Sequence, residues 1–178
     1  MNDASSAAPT VSSLRRFLWR CLGAPILRAT PYPAYRLRAL LLQAFGARLG
    51  RGVRWRRTAR VDAPWSMELG SQSMVGDRTW FAGDGPIRVG PRTTVSQGTM
   101  VLSEVLVAGS PSGATRGAVE IGADAWVAAD VMVLPGVAIG SGSVVGSRSV
   151  VVESLGEFTV AVGHPARVVA RRRLTASG

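Results

Sequence analysis

From residue 121 to residue 151 an apolar side chain returns at every sixth position: Ile121, Val127, Val133, Ile139, Val145 and Val151. Four residues after the first five of these stand small or β-branched residues: Ala125, Val131, Val137, Ser143 and Ser149. A step of six fits neither the helical period nor simple strand alternation. It predicts a parallel β-helix, in which short strands separated by corners coil around one apolar column. Three hexads close one triangular coil, and each side chain then stacks about 4.8 Å from its counterpart one coil away.

The same step runs back through the chain with three phase shifts. Leu49, Trp55 and Val61 make one trio, Leu69, Val75 and Phe81 a second, and Val89, Val95 and Val101 a third. Each coil opens alike, with an apolar residue and a glycine: Leu49-Gly50, Leu69-Gly70, Val89-Gly90, Ile121-Gly122 and Ile139-Gly140. Glycine suits a corner because positive φ costs it nothing sterically. The glycines lie 20, 20, 32 and 18 residues apart, so the third interval holds more chain than one coil needs. The surplus must leave the coil as a loop over residues 107–118.

The fold class expected is therefore all-β, a parallel β-helix of about five coils over residues 47–156. Residues 1–11, rich in Ala, Ser and Pro, read as a disordered tail. Residues 12–46 read as helical: Ser12 or Ser13 caps a first helix through Leu22, and a second runs from Ala34 to Phe45 and stops at Gly46. Residues 157–178 form a short extension that folds back over the coils or onto a neighbour. A prism with long faces of exposed strand is expected to oligomerise with closed symmetry.

Composition adds two things. The 178 residues carry 21 Arg and no Lys against 11 acids, a net charge of +10, and twelve of the Arg fall in residues 1–60 with Asp3 as the sole acid there. The coil body is close to neutral. The Arg residues of the N-terminal region alternate with large apolar ones, a pattern that argues against nucleic acid. Two readings stay open for residues 12–60. The helices cap the open end of the coil with Arg facing water, or they attach to an anionic membrane surface. In the second, Phe17, Leu18, Trp19, Leu22 and Leu40–Leu42 dip into the interface, and Arg15, Arg16, Arg20, Arg28, Arg36 and Arg38 meet lipid phosphates. The apolar run 17–27 is interrupted by Arg20 and too short to span a bilayer, and it lacks the uninterrupted core of a signal peptide. With one cysteine, Cys21, no intrachain disulfide is possible. The expected location is the cytoplasm, at the inner face of the cell membrane if the helices touch lipid.

The stretch Val119–Gly140, with Trp126 in Ala-Trp-Val-Ala and the run Leu134-Pro-Gly136, followed by Ser149-Val-Val151 and Gly163-His-Pro-Ala-Arg167, resembles the hexapeptide-repeat acyltransferases. Phe45–Val53, Ala63-Pro-Trp65, Pro86–Gly90 and Val95-Ser-Gln-Gly98 are similar to the colanic-acid-type exopolysaccharide O-acetyltransferases within them. The resemblance spans residues 12–172. It implies a left-handed coil, an exception to right-handed crossovers, a homotrimer, and acetyl-CoA bound in the grooves between subunits. It implies transfer of an acetyl group to a hydroxyl of a sugar or lipid-linked glycan, with a groove histidine as base and donors that stabilise the oxyanion.

The family's histidine sits shortly after the Val-Ser-Gln-Gly segment, in a stretch resembling Cys-Thr-Ala-Ser-His-Asp. Here that stretch reads Val101-Leu-Ser-Glu104-Val-Leu-Val-Ala-Gly-Ser110 and holds no histidine. The chain's single histidine, His164, stands where the family usually has Asn. Glu104 is the ionisable side chain left in the stretch and the candidate base, although a carboxylate is a weak base for a sugar hydroxyl unless burial strengthens it. The alternative is a catalytically inactive relative with a structural or regulatory role in the same assembly. For the co-substrate, Trp126, Ala128, Ala129, Gly146 and Ser147 are the candidate contacts along the pantetheine, and Arg148, Arg167 and Arg171 the candidates for the CoA phosphates. With one histidine and an isolated cysteine, no metal site is expected.

Overall fold

In the computed structural model, which describes residues 13–106 and 113–172, the hexads form a three-faced parallel β-solenoid of about five coils. The first face stacks Arg48–Leu49, Met67–Leu69, Ile87–Val89, Val119–Ile121 and Ala138–Ile139. The second stacks Arg54–Trp55, Met74–Val75, Thr94–Val95, Trp126–Val127 and Val144–Val145, and then continues into the C-terminal strands. The third stacks Arg60–Val61, Trp80–Ala82, Met100–Leu102, Met132–Val133 and Val150–Val151. All fifteen hexad positions fall into three registered columns. Leu49, Leu69, Val89, Ile121 and Ile139 line one. Trp55, Val75, Val95, Val127 and Val145 line the next. Val61, Phe81, Val101, Val133 and Val151 line the third. Except for Leu49 at the capped end, each is buried.

A second inward row carries hydroxyls, and these are spent on the coil itself. Thr93 Oγ1 donates to the Gly122 carbonyl at 2.6 Å, Thr99 Oγ1 to Ala128 at 2.8 Å, and Ser143 Oγ to Gly156 at 2.7 Å. Each joins a corner to the coil above it, so a buried polar atom is satisfied and two coils are tied. The coil-opening glycines serve a different purpose from the one their corner positions suggest. None of Gly50, Gly70, Gly90, Gly122 and Gly140 has positive φ. They are small because the next coil passes close: a Cβ on Gly90 would sit 2.5 Å from the Ala123 nitrogen. The left-handed residue comes two positions later, and there the chain places Gln72, Arg92 and Asp124 as well as Gly52 and Gly142.

The surplus of the third interval leaves the coil three residues earlier than the spacing predicts. Glu104–Leu106 pairs antiparallel with Ala114–Arg116 as a hairpin, and the Gly117 amide closes its base on the Ser103 carbonyl at 3.0 Å. The remainder of the expected loop, 107–112, lies outside the described residues, as does the tail 1–11 with Ser12. At the other end, Thr159–Gly163 adds parallel to Val144–Val145, and Ala166–Arg171 returns antiparallel beside it. The extension thus completes this chain's own second face.

The first helix continues past its expected end at Leu22 as far as Ala29. It passes through a π turn at Trp19–Gly23, just before Pro25, whose nitrogen has no hydrogen to donate. Trp19 is buried over Gly23 and its Nε1 donates to the Val61 carbonyl at 2.9 Å, which pins the helix to the first coil. The second helix, Tyr35–Ala44, turns its arginine inward. Arg38 is 0% exposed, with Nε on the Trp55 carbonyl at 2.7 Å and Nη1 on Thr30 Oγ1 at 3.0 Å and the Pro31 carbonyl at 2.8 Å. Its Nη2 meets the Tyr32 carbonyl at 2.9 Å. Burial pulls this guanidinium below the ordinary arginine range, with the Tyr35 and Asp77 charges opposing. Arg38 and Leu42, one helical turn apart, face the coil, whereas Leu37 and Leu40 are 52% and 64% exposed. Of the residues expected to meet lipid, Trp19, Arg38 and Leu42 therefore belong to the cap, Arg15 donates to the Phe45 carbonyl, and Arg16 pairs with Asp84. Phe17, Leu18, Leu22 and Leu40 remain on the outside.

Candidate functional site

The outward residues of the first face form a closed charge ladder. Arg48 pairs with Glu68, and Arg88 reaches Glu68 at 3.7 Å and Glu120 at 2.7 Å. Opposite charges one coil apart satisfy one another and leave this face solvated. The candidate residues lie elsewhere, along the two edges of the third face.

One edge is the corner between the second and third faces. Ala128, Ala129, Gly146, Ser147 and Arg148 stack there in two successive coils. The Ala128 amide donates to Val145 at 2.9 Å, and the Arg148 amide to Ala129 at 2.9 Å. The steric space is set by small residues: a Cβ on Gly146 would meet Val162 Cγ1 at 2.6 Å. Arg148 holds its corner at φ 60°, exposed and without an ion pair among the described residues. Trp126 precedes the corner on the second face. Its ring is 50% exposed and anchored by Nε1 on Ser96 Oγ at 3.1 Å. Below it, Ser96, Thr94, Met74, Gly76 and Gln97 line a surface cleft of about 540 Å³ that also reaches Arg56 and Arg78. Arg167 and Arg171 lie farther up, on the last strand. Arg167 is paired with Glu153 at 3.1 Å, and Arg171 is exposed. His164 is exposed in the turn between the two C-terminal strands, before a cis peptide to Pro165.

The other edge, between the third and first faces, carries Glu104 at the root of the hairpin. Its Oε1 is 2.8 Å from Arg116 Nη2 on the opposite strand, and the carboxylate side chain is 22% exposed. This contact holds the Arg116 guanidinium above the ordinary arginine range. Ser103 is buried with Oγ on the Ala82 carbonyl at 2.9 Å, so it is a structural hydroxyl. Leu106 is 82% exposed at the end of the strand. Among the described residues no three of His, Cys, Asp and Glu come together, and no helix is long and apolar enough to cross a membrane.

Two acidic contacts at this edge escaped the sequence reading. Asp62 accepts from Trp80 Nε1 at 3.1 Å and from the Gly83 amide at 3.2 Å, and Asp84 pairs with Arg16 of the first helix at 2.8 Å. Corner carboxylates carry no periodic signal. Only the stacking of coils brings these side by side.

Comparison with known proteins fits this geometry. The model of the bacterial transferase hexapeptide (six repeats) matches residues 118–152. The WcaF protein of Escherichia coli (strain K12), assigned to colanic acid biosynthesis as an acetyltransferase, is 37% identical over 161 residues, covering 87% of this chain and 86% of its own length. Among solved structures, a galactoside acetyltransferase in complex with coenzyme A superposes with a TM-score of 0.82 at 17% identity, over 93% of this chain and 86% of that one. A hexapeptide-repeat acetyltransferase of Vibrio cholerae O1 biovar eltor, complexed with acetyl coenzyme A, gives 0.81 at 19% identity, over 94% and 91%. The coil is the left-handed parallel β-helix of these enzymes. With its repeat, its fold and its similarity to WcaF along nearly the whole chain, this protein belongs to the hexapeptide-repeat acetyltransferases, in the family of the colanic acid biosynthesis acetyltransferases.

Proposed function

We propose that the chain is an acetyl-CoA-dependent O-acetyltransferase of bacterial surface-polysaccharide assembly. It works as a homotrimer at the cytoplasmic face of the membrane, and its acceptor is a hydroxyl of a sugar or lipid-linked glycan. The observation that carries this reading is the division of the site. The small-residue corner at Trp126–Ala129 and Gly146–Arg148 and the hairpin root at Glu104 occupy opposite edges of the third face. One chain alone leaves them apart, and a groove between two prisms is the arrangement in which one chain's corner meets its neighbour's hairpin.

The residues present suit the co-substrate. The small Ala129 and Gly146, over the buried Ala128, keep the corner free of bulk for a pantetheine arm, Trp126 offers a fixed aromatic edge, and the exposed Arg148 and Arg171 supply cations for phosphates. Acetyl-CoA supplies an activated thioester. In the transfer the sugar oxygen bonds to the acetyl carbon, the carbon–sulfur bond breaks, and the hydroxyl proton passes to a base while the thiolate leaves. In this reading Glu104 takes that proton, once its carboxylate turns away from Arg116. The inactive alternative draws on the same hairpin, where Leu106 is exposed and Glu104 is tied to Arg116.

Calorimetric titration with acetyl-CoA, with mass spectrometry of glycan acceptors, separates the readings. Heat of binding and acetylated product in wild type, with product lost in Glu104→Gln, is the expected result. Binding without transfer, with transfer gained in Leu106→His, identifies the inactive relative. Absence of acetyl-CoA binding overturns the reading altogether.

A further inference from the structure

Between the first helix and the base of the third face lies a cavity of about 280 Å³. Three arginines reach it: Arg20 and Arg28 from the helix and Arg60 from the first coil. Several arginines of the coil body are spent on carboxylates, as with Arg88 on Glu120 and Arg92 on Asp124. Arg20, Arg28 and Arg60 have no ion pair and no side-chain hydrogen bond among the described residues. One carboxylate, Asp62, shares the wall, but its two oxygens already accept from Trp80 Nε1 and the Gly83 amide. Three guanidiniums against the single Asp62 carboxylate leave the wall with a surplus of positive charge, which calls for a ligand with two or more negative charges.

The rest of the wall is apolar, built by Trp19, Pro25, Leu27 and Val61. Leu22 and Ile26 of the same helix are exposed. A free inorganic anion gains nothing from such surroundings, whereas a phosphorylated lipid uses both. The cavity also adjoins the hairpin edge. The Gly83 amide that holds Asp62 belongs to a residue whose added Cβ would lie 2.9 Å from Glu104 Cβ. From the first coil to the third is two strand spacings, roughly 10 Å, a reach that a short saccharide covers.

We infer that this cavity binds the diphosphate of a lipid-linked acceptor, so that the attached sugar extends along the third-face edge toward Glu104. This inference rests on the acetyltransferase reading and specifies its acceptor as a lipid diphosphate.

The test is titration of the full chain with farnesyl diphosphate below its micelle concentration, beside inorganic diphosphate and farnesol. Wild type is expected to bind farnesyl diphosphate at least about tenfold more tightly than inorganic diphosphate, and farnesol not measurably. In Arg20→Gln/Arg60→Gln the affinity for farnesyl diphosphate is expected to fall by about tenfold or more, the loss expected when charged donors are removed. Acetyl-CoA binding is expected to stay unchanged in that variant, which shows that it is folded. Arg36→Gln, an exposed arginine on the second helix, is expected to bind as wild type does. Equal affinity in wild type and the double variant overturns the inference, as does absence of farnesyl diphosphate binding. Inorganic diphosphate binding as tightly as the lipid form overturns the lipid source. Loss of acetyl-CoA binding in wild type is a separate failure, of the enzymatic reading.

Discussion

Replacing Arg38 by Met is a direct test of how the N-terminal cap is held. The aliphatic stem is conserved in volume, so the change removes mainly the guanidinium and its four contacts. The Trp55 carbonyl and Thr30 Oγ1 contacts are buried, while those to Pro31 and Tyr32 lie where water can replace the donor. Two stranded buried acceptors at about 1–3 kcal/mol each, less the relief of no longer desolvating a cation, leave a net loss of roughly 2–4 kcal/mol. For a chain of this length that corresponds to a fall in Tm of about 5–15 °C. Contacts in a solenoid are with neighbouring coils, so the loss is expected first in the cap. Hydrogen exchange should speed up over residues 30–44 while the amides of the third to fifth coils stay protected. Arg38→Lys should recover little, because a single ammonium cannot reach carbonyls that the planar fork meets on three sides. Arg36→Met, at an exposed position, serves as the control. Wild-type stability in Arg38→Met, or full recovery in Arg38→Lys, would refute the claim that a buried fork organises the cap.

The coil-opening glycines should be intolerant for steric reasons. Gly90→Ala forces a methyl against the backbone of the next coil and is expected to cost about 3 kcal/mol by overpacking. Gly136→Ala, at φ +81° with open space around it, should cost about 1–2 kcal/mol from its backbone conformation alone, as read by denaturant unfolding. The hydrogen bonds from Arg92 hold the Asp124 carboxyl below the usual range against an opposing burial effect, with the Arg92 and Arg172 charges adding to them. The stability advantage of wild type over Asp124→Asn should therefore be fully present above the ordinary Asp pKa of about 3.9 and vanish as pH falls through the depressed native value, followed by Tm against pH. Phe17→Glu with Leu40→Glu should weaken association with anionic liposomes without dissociating the proposed trimer in analytical ultracentrifugation. Wild-type binding should itself decline with added salt.

The solenoid was legible because its constraint is local and repeated. An inward side chain at every hexad must be apolar, and the chain writes that requirement fifteen times from Leu49 to Val151. The glycines were legible in position but not in cause, since nothing in Ile121-Gly122 distinguishes a residue that needs positive φ from one whose Cβ would strike the next coil. The helical cap was the least legible part. Its inward face joins a charge, Arg38, to Leu42, while Leu37 and Leu40 stand outside, so polarity alone does not mark the buried face. The pairing of Glu104 with Arg116 depends on a hairpin whose strands show no alternation, and the Asp62–Trp80 contact joins residues one coil apart. Both are products of stacking and have no signature along the chain.

The first face cancels its own charges through the Arg48–Glu68–Arg88–Glu120 ladder, and Arg92 is cancelled by Asp124 one coil up. Coulombic attraction to an anionic surface therefore has little to act on along the coils. It acts at the capped end, where Arg20, Arg28 and Arg60 lack carboxylate partners among the described residues and Phe17, Leu22, Ile26 and Leu40 are exposed. For the membrane attachment proposed above, an apolar patch and an unpaired cationic cluster on one end of the coil would set the cap toward the lipid and the coil axis away from it. In that orientation the arginine-lined cavity lies at the interface where lipid phosphates reside. Glu104 stands two coils above it, and the Trp126–Arg148 corner stands farther out, open to a water-soluble thioester. Under the proposed function the two substrates would approach from opposite directions, and a sugar fixed to its lipid carrier would reach the acetyl group without leaving the membrane.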